Sequence, residues 1–409
     1  MTEAAATEGG KRVSWVELYF DLIFVFAVSQ AARDIAERPT WSGLGIAFGV
    51  FLTLWWTWIG FVVLYNRNVE DRPSRRLFVL AGTLPCAVAA VQLQNAPEGD
   101  LTGFTLSLAA ARVILAVAYP VCAPGSATAR RAGVGYGLST VLFVAAALVG
   151  TPWRSIIVAV ALLQEAGFLL LGSARRGRRD RRRRTWRSRT DALREAMRPP
   201  EDPDKRVDAA HLAERFGLFM IILLGEIVVS VGTSALGVPE RTLSFWLGLL
   251  SGLVLAAALW WIYFDSAASI NEYVLRTSGG NPAMAYGIYA GGHLAPAFAL
   301  LAIAAGVSLS LHGHSSRAAG WFVAAGLAAY LIGTRAFPTM RGTVFGRVLR
   351  FVGMAATVCL GLLERVLSPT AVVAAVTLWA VGAAAIVSWR RPGVLSRLSD
   401  DPLSLFHRP

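Results

Sequence analysis

The chain has 409 residues, of which 55% are hydrophobic and 16% charged, and 39 Lys and Arg against 26 Asp and Glu leave a net charge of +13. A soluble domain carries about 25% charged residues, so a soluble globular enzyme is excluded. Apolar runs of about 20 residues recur along the sequence, each long enough to cross a hydrocarbon layer of about 30 Å as a helix. A membrane β-barrel is excluded too, because its strands would read as short alternating segments.

The expected fold is an all-α polytopic integral membrane protein with about twelve transmembrane helices in two six-helix halves. The spans fall at 15–32, 43–65, 77–95, 103–123, 132–150, 154–173, 212–234, 243–264, 282–306, 318–335, 348–364 and 369–388. An N-terminal half (1–173), a basic cytoplasmic linker (174–208), a C-terminal half (209–390) and a cytoplasmic tail (391–409) follow from these. Lys11 and Arg12 precede a long apolar run, but acids interrupt it and no small-x-small cleavage site follows, so the first segment is expected to be a retained helix.

That first span, VELYFDLIFVFAVSQ at Val16 to Gln30, carries Glu17 and Asp21 in its opening turns. A carboxylate in a membrane segment costs about 2.5–3.5 kcal/mol on insertion scales and is rarely kept without a partner or a use. Four residues apart, the two acids share a helix face. Their mutual repulsion calls for a cation between them or a proton on one. In the fourth span, Arg112 sits too far from either end to snorkel and requires a buried acid. Asp21, Glu226 and Glu165 are available, with Asp21 or Glu226 the expected partner.

The linker follows the sixth span. Residues 174–208 hold 14 Lys and Arg against 7 Asp and Glu, a net +7. The run RRGRRDRRRR at Arg175 to Arg184 reads as a topology determinant that touches anionic lipid headgroups, at about 1 kcal/mol per basic residue near the surface, and not as a nucleic-acid site. Further basic clusters at Arg67 to Arg76, Arg130 and Arg131, Arg341 to Arg350, and Arg390 and Arg391 fall on the same side, whereas Asp265 to Asn281 is not basic. The positive-inside bias puts that side, and both termini, in the cytoplasm.

The seventh span opens amphipathically with His211, Glu214 and Arg215, and Arg215, Ile222, Glu226 and Thr233 share one stripe. Glu226 lies about 18 Å beyond Glu214 along a straight helix, inside the membrane. WWIYFDSA ends the eighth span with an aromatic belt and the interfacial acid Asp265. In YAGGHLAP, Gly291, Gly292 and Pro296 around His293 predict a loosened helix. Gly45/Gly49, Gly133/Gly137, Gly248/Gly252 and Gly287/Gly291 allow close helix contact. His211, Glu214 and His293 make no convincing metal set, no metal or cofactor is expected, and Cys86, Cys122 and Cys359 are read as small apolar fillers. A shift of 205 lays Trp55-Trp56 over Trp260-Trp261 and Asp21 over Glu226, which favours two parallel halves.

These blocks carry a family resemblance. ELYFDLIFVFAVSQ at Glu17 to Gln30, HLAERFGLFMIILLGE at His211 to Glu226, WWIYFD at Trp260 to Asp265 and YAGGHLAP at Tyr289 to Pro296 resemble, in order and separation, the bacterial low temperature requirement protein A family, LtrA, over about residues 12–390. The resemblance implies an integral bacterial membrane protein named from a cold-growth phenotype, with no agreed catalytic assignment to carry over. Ala-Gly-Gly before His293 departs from the bulkier apolar run typical there.

The expected function is a transporter-like protein of the cytoplasmic membrane, proton- or cation-coupled, handling an unknown small substrate or ion. Asp21, Glu226 and Arg112 are expected at a midplane polar site. The alternative is a membrane enzyme acting on a lipid or prenyl-type substrate, with Glu17 and Asp21 as acid and base; it lacks an Asp-rich diphosphate motif such as DDxxD.

Overall fold

The structure, a computed structural model, describes residues 13–66, 73–94, 100–174, 195–200, 206–238, 240–311, 318–334, 353 and 355–400. The basic run at Arg175 to Arg184 lies outside the described residues, as do 348–352 and 354 of the expected span 348–364, whose residues 355–362 are helical.

Helix α1 (Trp15–Glu37) starts at a capping box: the Ser14 hydroxyl accepts from the Glu17 amide while the Glu17 carboxylate accepts from the Ser14 amide. Pro39 lies just past its end. Then follow α2 (Trp41–Asn66), α3 (Pro73–Gln92), α4 (Thr102–Cys122), α5 (Ala127–Ala147) and α6 (Trp153–Ala174). Asp208 caps α7 (Ala209–Leu236) by accepting from the His211 amide. Helix α8 (Leu243–Ile262) runs through a π-helical turn at Tyr263–Ala267 into α9 (Ala268–Thr277). The expected end of this span at Asp265 is therefore corrected: the chain widens there and stays helical to Thr277. A short α10 (Pro282–Ala285), a second π-helical turn (Tyr286–Gly291), α11 (Leu294–Leu311), α12 (Ala318–Gly333), a helical segment at 355–362 ending in a 3-10 turn (Leu363–Arg365), and α13 (Pro369–Asp400) follow.

Among the described residues, seven helical stretches are long and apolar enough to cross a membrane: α1, α2, α4, α7, Leu243–Thr277, Pro282–Leu311 and the Pro369–Arg390 part of α13. That measure does not confirm a count of about twelve. Helices α3 and α5 open on the pairs Arg75-Arg76 and Arg130-Arg131, which dilute their apolar content.

Apolar side chains point outward, with Leu22, Val134, Leu163 and Leu378 each more than half exposed, while Glu17, Asp21, Arg112, Glu165, His211 and Arg215 are buried. Charges buried in an apolar core beneath an apolar exterior depart from the partition of a water-soluble domain, where charges stay outside, and suit a lipid solvent. Helix α1 packs against α2, α3, α7 and α11; α4, α5 and α6 pack in sequence; α7 contacts α8, α9 and α11. The turn at Gly279 and Gly280 fixes the start of α7. Gly280 has φ +70°, a conformation L side chains rarely adopt, and an added Cβ would lie 2.3 Å from the Val207 carbonyl. The Val207 amide donates to Gly280 O at 3.0 Å, so this close approach holds the segment leading to Asp208.

Candidate functional site

Four ionisable side chains meet within the first two turns of α1 and α7. Arg215 donates through Nη1 to Glu17 Oε1 and through Nη2, at 3.0 Å, to Asp21 Oδ1. His211 places Nε2 3.2 Å from Glu17 Oε1. The α1 capping box adds Ser14 N and Oγ to Glu17 Oε2 at 2.9 and 3.0 Å. Helix α2 closes the site: Trp58 Nε1 donates to Asp21 Oδ1 at 2.7 Å, and its ring lies 5.9 Å from the Arg215 guanidinium. Phe24, Trp55, Phe216 and Phe219 pack around Trp58 as one aromatic body. Glu17, Asp21, His211 and Arg215 all have 0% exposure.

Asn66, the last residue of α2, orients the His211 ring. Its Oδ1 accepts from the Asp208 amide at 3.1 Å, so the amide group is oriented; its Nδ2 then faces Asp208 O and His211 Nδ1, both at 3.1 Å. An NH2 group only donates, which assigns Nδ1 as an acceptor and puts the ring hydrogen on Nε2, toward Glu17. The tautomer that this geometry selects is the one with a bare Nδ1. The cluster holds two carboxylates against one guanidinium, a surplus of one negative charge in a dry setting.

A second cluster is balanced. Arg112 on α4 donates through Nε to Glu165 Oε1 at 2.6 Å and through Nη1 to Thr57 Oγ1 at 3.0 Å, with Ser139 of α5 bonded to both Arg112 and Glu165. The Phe143 ring lies 3.7 Å from the guanidinium. This corrects the expected pairing of Arg112 with Asp21 or Glu226. Residues 112, 139 and 165 lie near the middles of three helices that fold back on one another, so they share a depth; Asp21 is committed to Arg215.

Asp21, Arg112 and Glu226 therefore do not converge on one midplane site. Glu226 is half-buried and takes Ser230 Oγ at 3.4 Å, with Arg33 of α1 acting on it electrostatically. The stripe that buries Arg215 leaves Thr233 exposed. Glu214 lies at the end of the bundle, where Oε2 accepts from the Val13 amide at 3.2 Å. Asp265 accepts from Ser388 Oγ of α13 at 2.9 Å. His293 is buried between the π-helical turns: Tyr263 OH meets Nε2 at 2.9 Å and Nδ1 faces Ile288 O at 3.0 Å. The loosening expected from its glycines takes the form of the widened turn at Tyr286–Gly291. Trp55 Nε1 donates to Ala290 O in that turn at 2.9 Å.

Sequence reasoning missed His211 as a partner of Glu17, together with Asn66 and Trp58. The available signal was their position: Asn66 closes an otherwise apolar helix, and His211 lies one turn before Arg215 on the same face. Among the described residues no group of three or more His, Cys, Asp or Glu is arranged to hold a metal ion.

Fold and clusters together define a multi-pass helical membrane protein with ion networks sealed in its interior. Residues 12–386 match the family described as bacterial low temperature requirement A protein (LtrA), and the chain belongs to that family. It is also similar to the uncharacterized protein RA0937 of Rhizobium meliloti (strain 1021), 28% identical over 261 residues that cover 62% of this chain and 58% of that protein. The chain thus spans somewhat more than half the length of this relative. No solved structure matches the chain.

Proposed function

We propose that this LtrA protein is a transporter-like protein of the bacterial cytoplasmic membrane, proton- or cation-coupled, with Glu17, Asp21, His211 and Arg215 as its coupling site. One observation carries the reading: the buried cluster has two carboxylates, one guanidinium and a histidine whose Nδ1 faces the Asn66 NH2 group, the arrangement of a neutral ring. A structural ion pair needs one acid per base, as Arg112 and Glu165 have. An uncompensated charge in a low-dielectric interior is costly. The surplus acid calls for an ion from outside, and reversible uptake of that ion is what coupling consists of. The enzyme alternative gains nothing here, because both oxygens of Glu17 already accept hydrogen bonds.

The same reading covers topology. Glu17 and Asp21 meet His211 and Arg215 near the starts of α1 and α7, and Arg33 acts on Glu226 farther along both, so the two helices run parallel. Parallel starts require an even number of crossings between them; α1, α2 and α4 alone would give an odd one. Four or six crossings satisfy this; we take all six helices of the first half to cross, which gives two six-helix halves, and the basic clusters put both termini in the cytoplasm. A role in low-temperature or stress adaptation, drawn from the family's description, belongs to the same proposal.

Purified protein in liposomes loaded with pH- and sodium-sensitive dyes tests it, with the small-molecule fraction of a bacterial extract as substrate source. Extract-dependent movement of protons or sodium is expected, and Asp21→Asn should abolish it. No ion movement above protein-free liposomes with either dye overturns the reading.

A further inference from the structure

We infer that the surplus negative charge of the cluster is neutralised by a proton on Oδ2 of Asp21, which makes Asp21 the proton-binding group and a proton the coupling ion. This deepens the coupling reading by naming its ion.

Glu17 has no free position. Its two oxygens take Ser14 N, Ser14 Oγ, His211 Nε2 and Arg215 Nη1, and it sits in the first turn of α1, where the helix N-terminus favours a negative charge. A proton there would displace one of those donors. His211 is closed as well: a second ring proton at Nδ1 would point into the Asn66 NH2 group, which the Asp208 amide holds in place.

Asp21 remains. Oδ1 accepts from both Arg215 Nη2 and Trp58 Nε1, whereas Oδ2 is buried with no hydrogen-bond partner. It is the one carboxylate oxygen of the cluster that can take a proton without breaking a bond already made. Titratable or charged groups face Asp21 from its own helix (Glu17) and from α7 (Arg215), with Trp58 from α2. Arg215 is a cation already shared with Glu17. Binding is the step Asp21 carboxylate plus proton gives carboxylic acid, which takes the cluster from one net negative charge to zero; release returns the proton to water.

A metal cation fits this place poorly. Transporter sites for sodium recruit carbonyl oxygens from unwound helix, but α1 is α-helical throughout Trp15–Glu37, so its carbonyls near Asp21 serve the helix. Trp58 and Arg215, both donor-only groups, occupy Oδ1 of the carboxylate, and Phe24 packs on the Trp58 ring. The widened turns that do loosen backbone lie at Tyr263–Ala267 and Tyr286–Gly291, and the Ala290 carbonyl there is taken by Trp55.

Infrared spectroscopy of the full chain in liposomes reads the proton directly. The wild-type protein should show the carbonyl stretch of a protonated carboxyl in apolar surroundings. Carbon-13 placed in aspartate carboxyls should shift the band and carbon-13 in glutamate carboxyls should leave it; Asp21 is the buried aspartate among the described residues. Asp21→Asn should remove the band, and the labelling result stands even where that variant fails to fold. The inference is overturned by absence of the band, by a band that follows the glutamate label, or by one that vanishes when sodium chloride replaces choline chloride. It also fails if nitrogen NMR finds protons on both ring nitrogens of His211, since the charge then balances without Asp21. A protonated Asp21 alongside no extract-dependent flux sinks the transport reading alone.

Discussion

Arg112 and Arg215 are two guanidinium groups sealed in one bundle, and their surroundings differ in what they allow. Arg112 meets one carboxylate, two hydroxyls and a ring face, a closed set in which every charge is matched. Removing one member of such a pair leaves an uncompensated buried charge, at a cost of about 3–5 kcal/mol, whereas exchanging the whole pair for apolar groups is often neutral or stabilising. Glu165→Ala should lower stability by about that amount, and Arg112→Met with Glu165→Leu should recover most of it, as denaturant titration in detergent would show; equal losses in both variants would contradict a purely structural role. The presence of buried charge was legible in the sequence from Glu17, Asp21 and Arg112 standing inside apolar runs. Their pairing was not, because periodicity describes one helix at a time, and the choice of Glu165 over Asp21 depends on which helices are neighbours. Asn66 illustrates the same gap, since its role depends on the Asp208 amide 142 residues away.

At the scale of elements, most helix positions were legible because each follows from a local cause: an apolar run of spanning length, a Ser, Thr or Asp cap, a Pro or Gly at the end. The two π-helical turns were harder, since one extra residue per turn leaves composition and approximate period unchanged; the break expected after Asp265 is a widening that carries α8 on to Thr277. Small-residue pairs were half informative. Gly133 is pressed against α4, where an added Cβ would lie 2.8 Å from the Ala116 carbonyl, and Gly252 would bring it 2.8 Å from Val231 and Val307. Gly45, Gly49, Gly137 and Gly287 have nothing within 4 Å. Spacing marks where helices can approach, but burial decides whether they do. Two substitutions on α5 separate the cases. Gly133→Ala forces a shift against backbone and should cost about 1–3 kcal/mol, whereas Gly137→Ala adds only helix propensity and should gain about 0.5–1 kcal/mol. Thermal melts of the two variants in one detergent check both signs.

For the whole molecule, the proposed repeat and the proposed topology stand on different observations. The shift of 205 that aligns the tryptophan pairs does not equate their surroundings: Trp55 is fully buried and Trp260 and Trp261 are exposed, Asp21 is sealed and Glu226 half-buried. Packing supports parallel halves better, because α1 lies against α3 and α7 lies against α11, the first and third expected spans of each half in both cases. The shared direction of α1 and α7 adds to this, since it requires an even number of crossings before α7 begins. With the N-terminus cytoplasmic and all of α1 to α6 crossing, the connection at 123–126 faces the cytoplasm and the one at 148–152 faces outward. In a background where Cys86, Cys122 and Cys359 are replaced by Ala, Pro124→Cys should react with a membrane-impermeant maleimide only in inside-out vesicles, and Gly150→Cys only in intact cells. Labelling of both positions from the same side would mean that α5 does not cross; the crossings would then need a different distribution to keep α1 and α7 parallel, and the two-half architecture would fail while the buried cluster stayed intact.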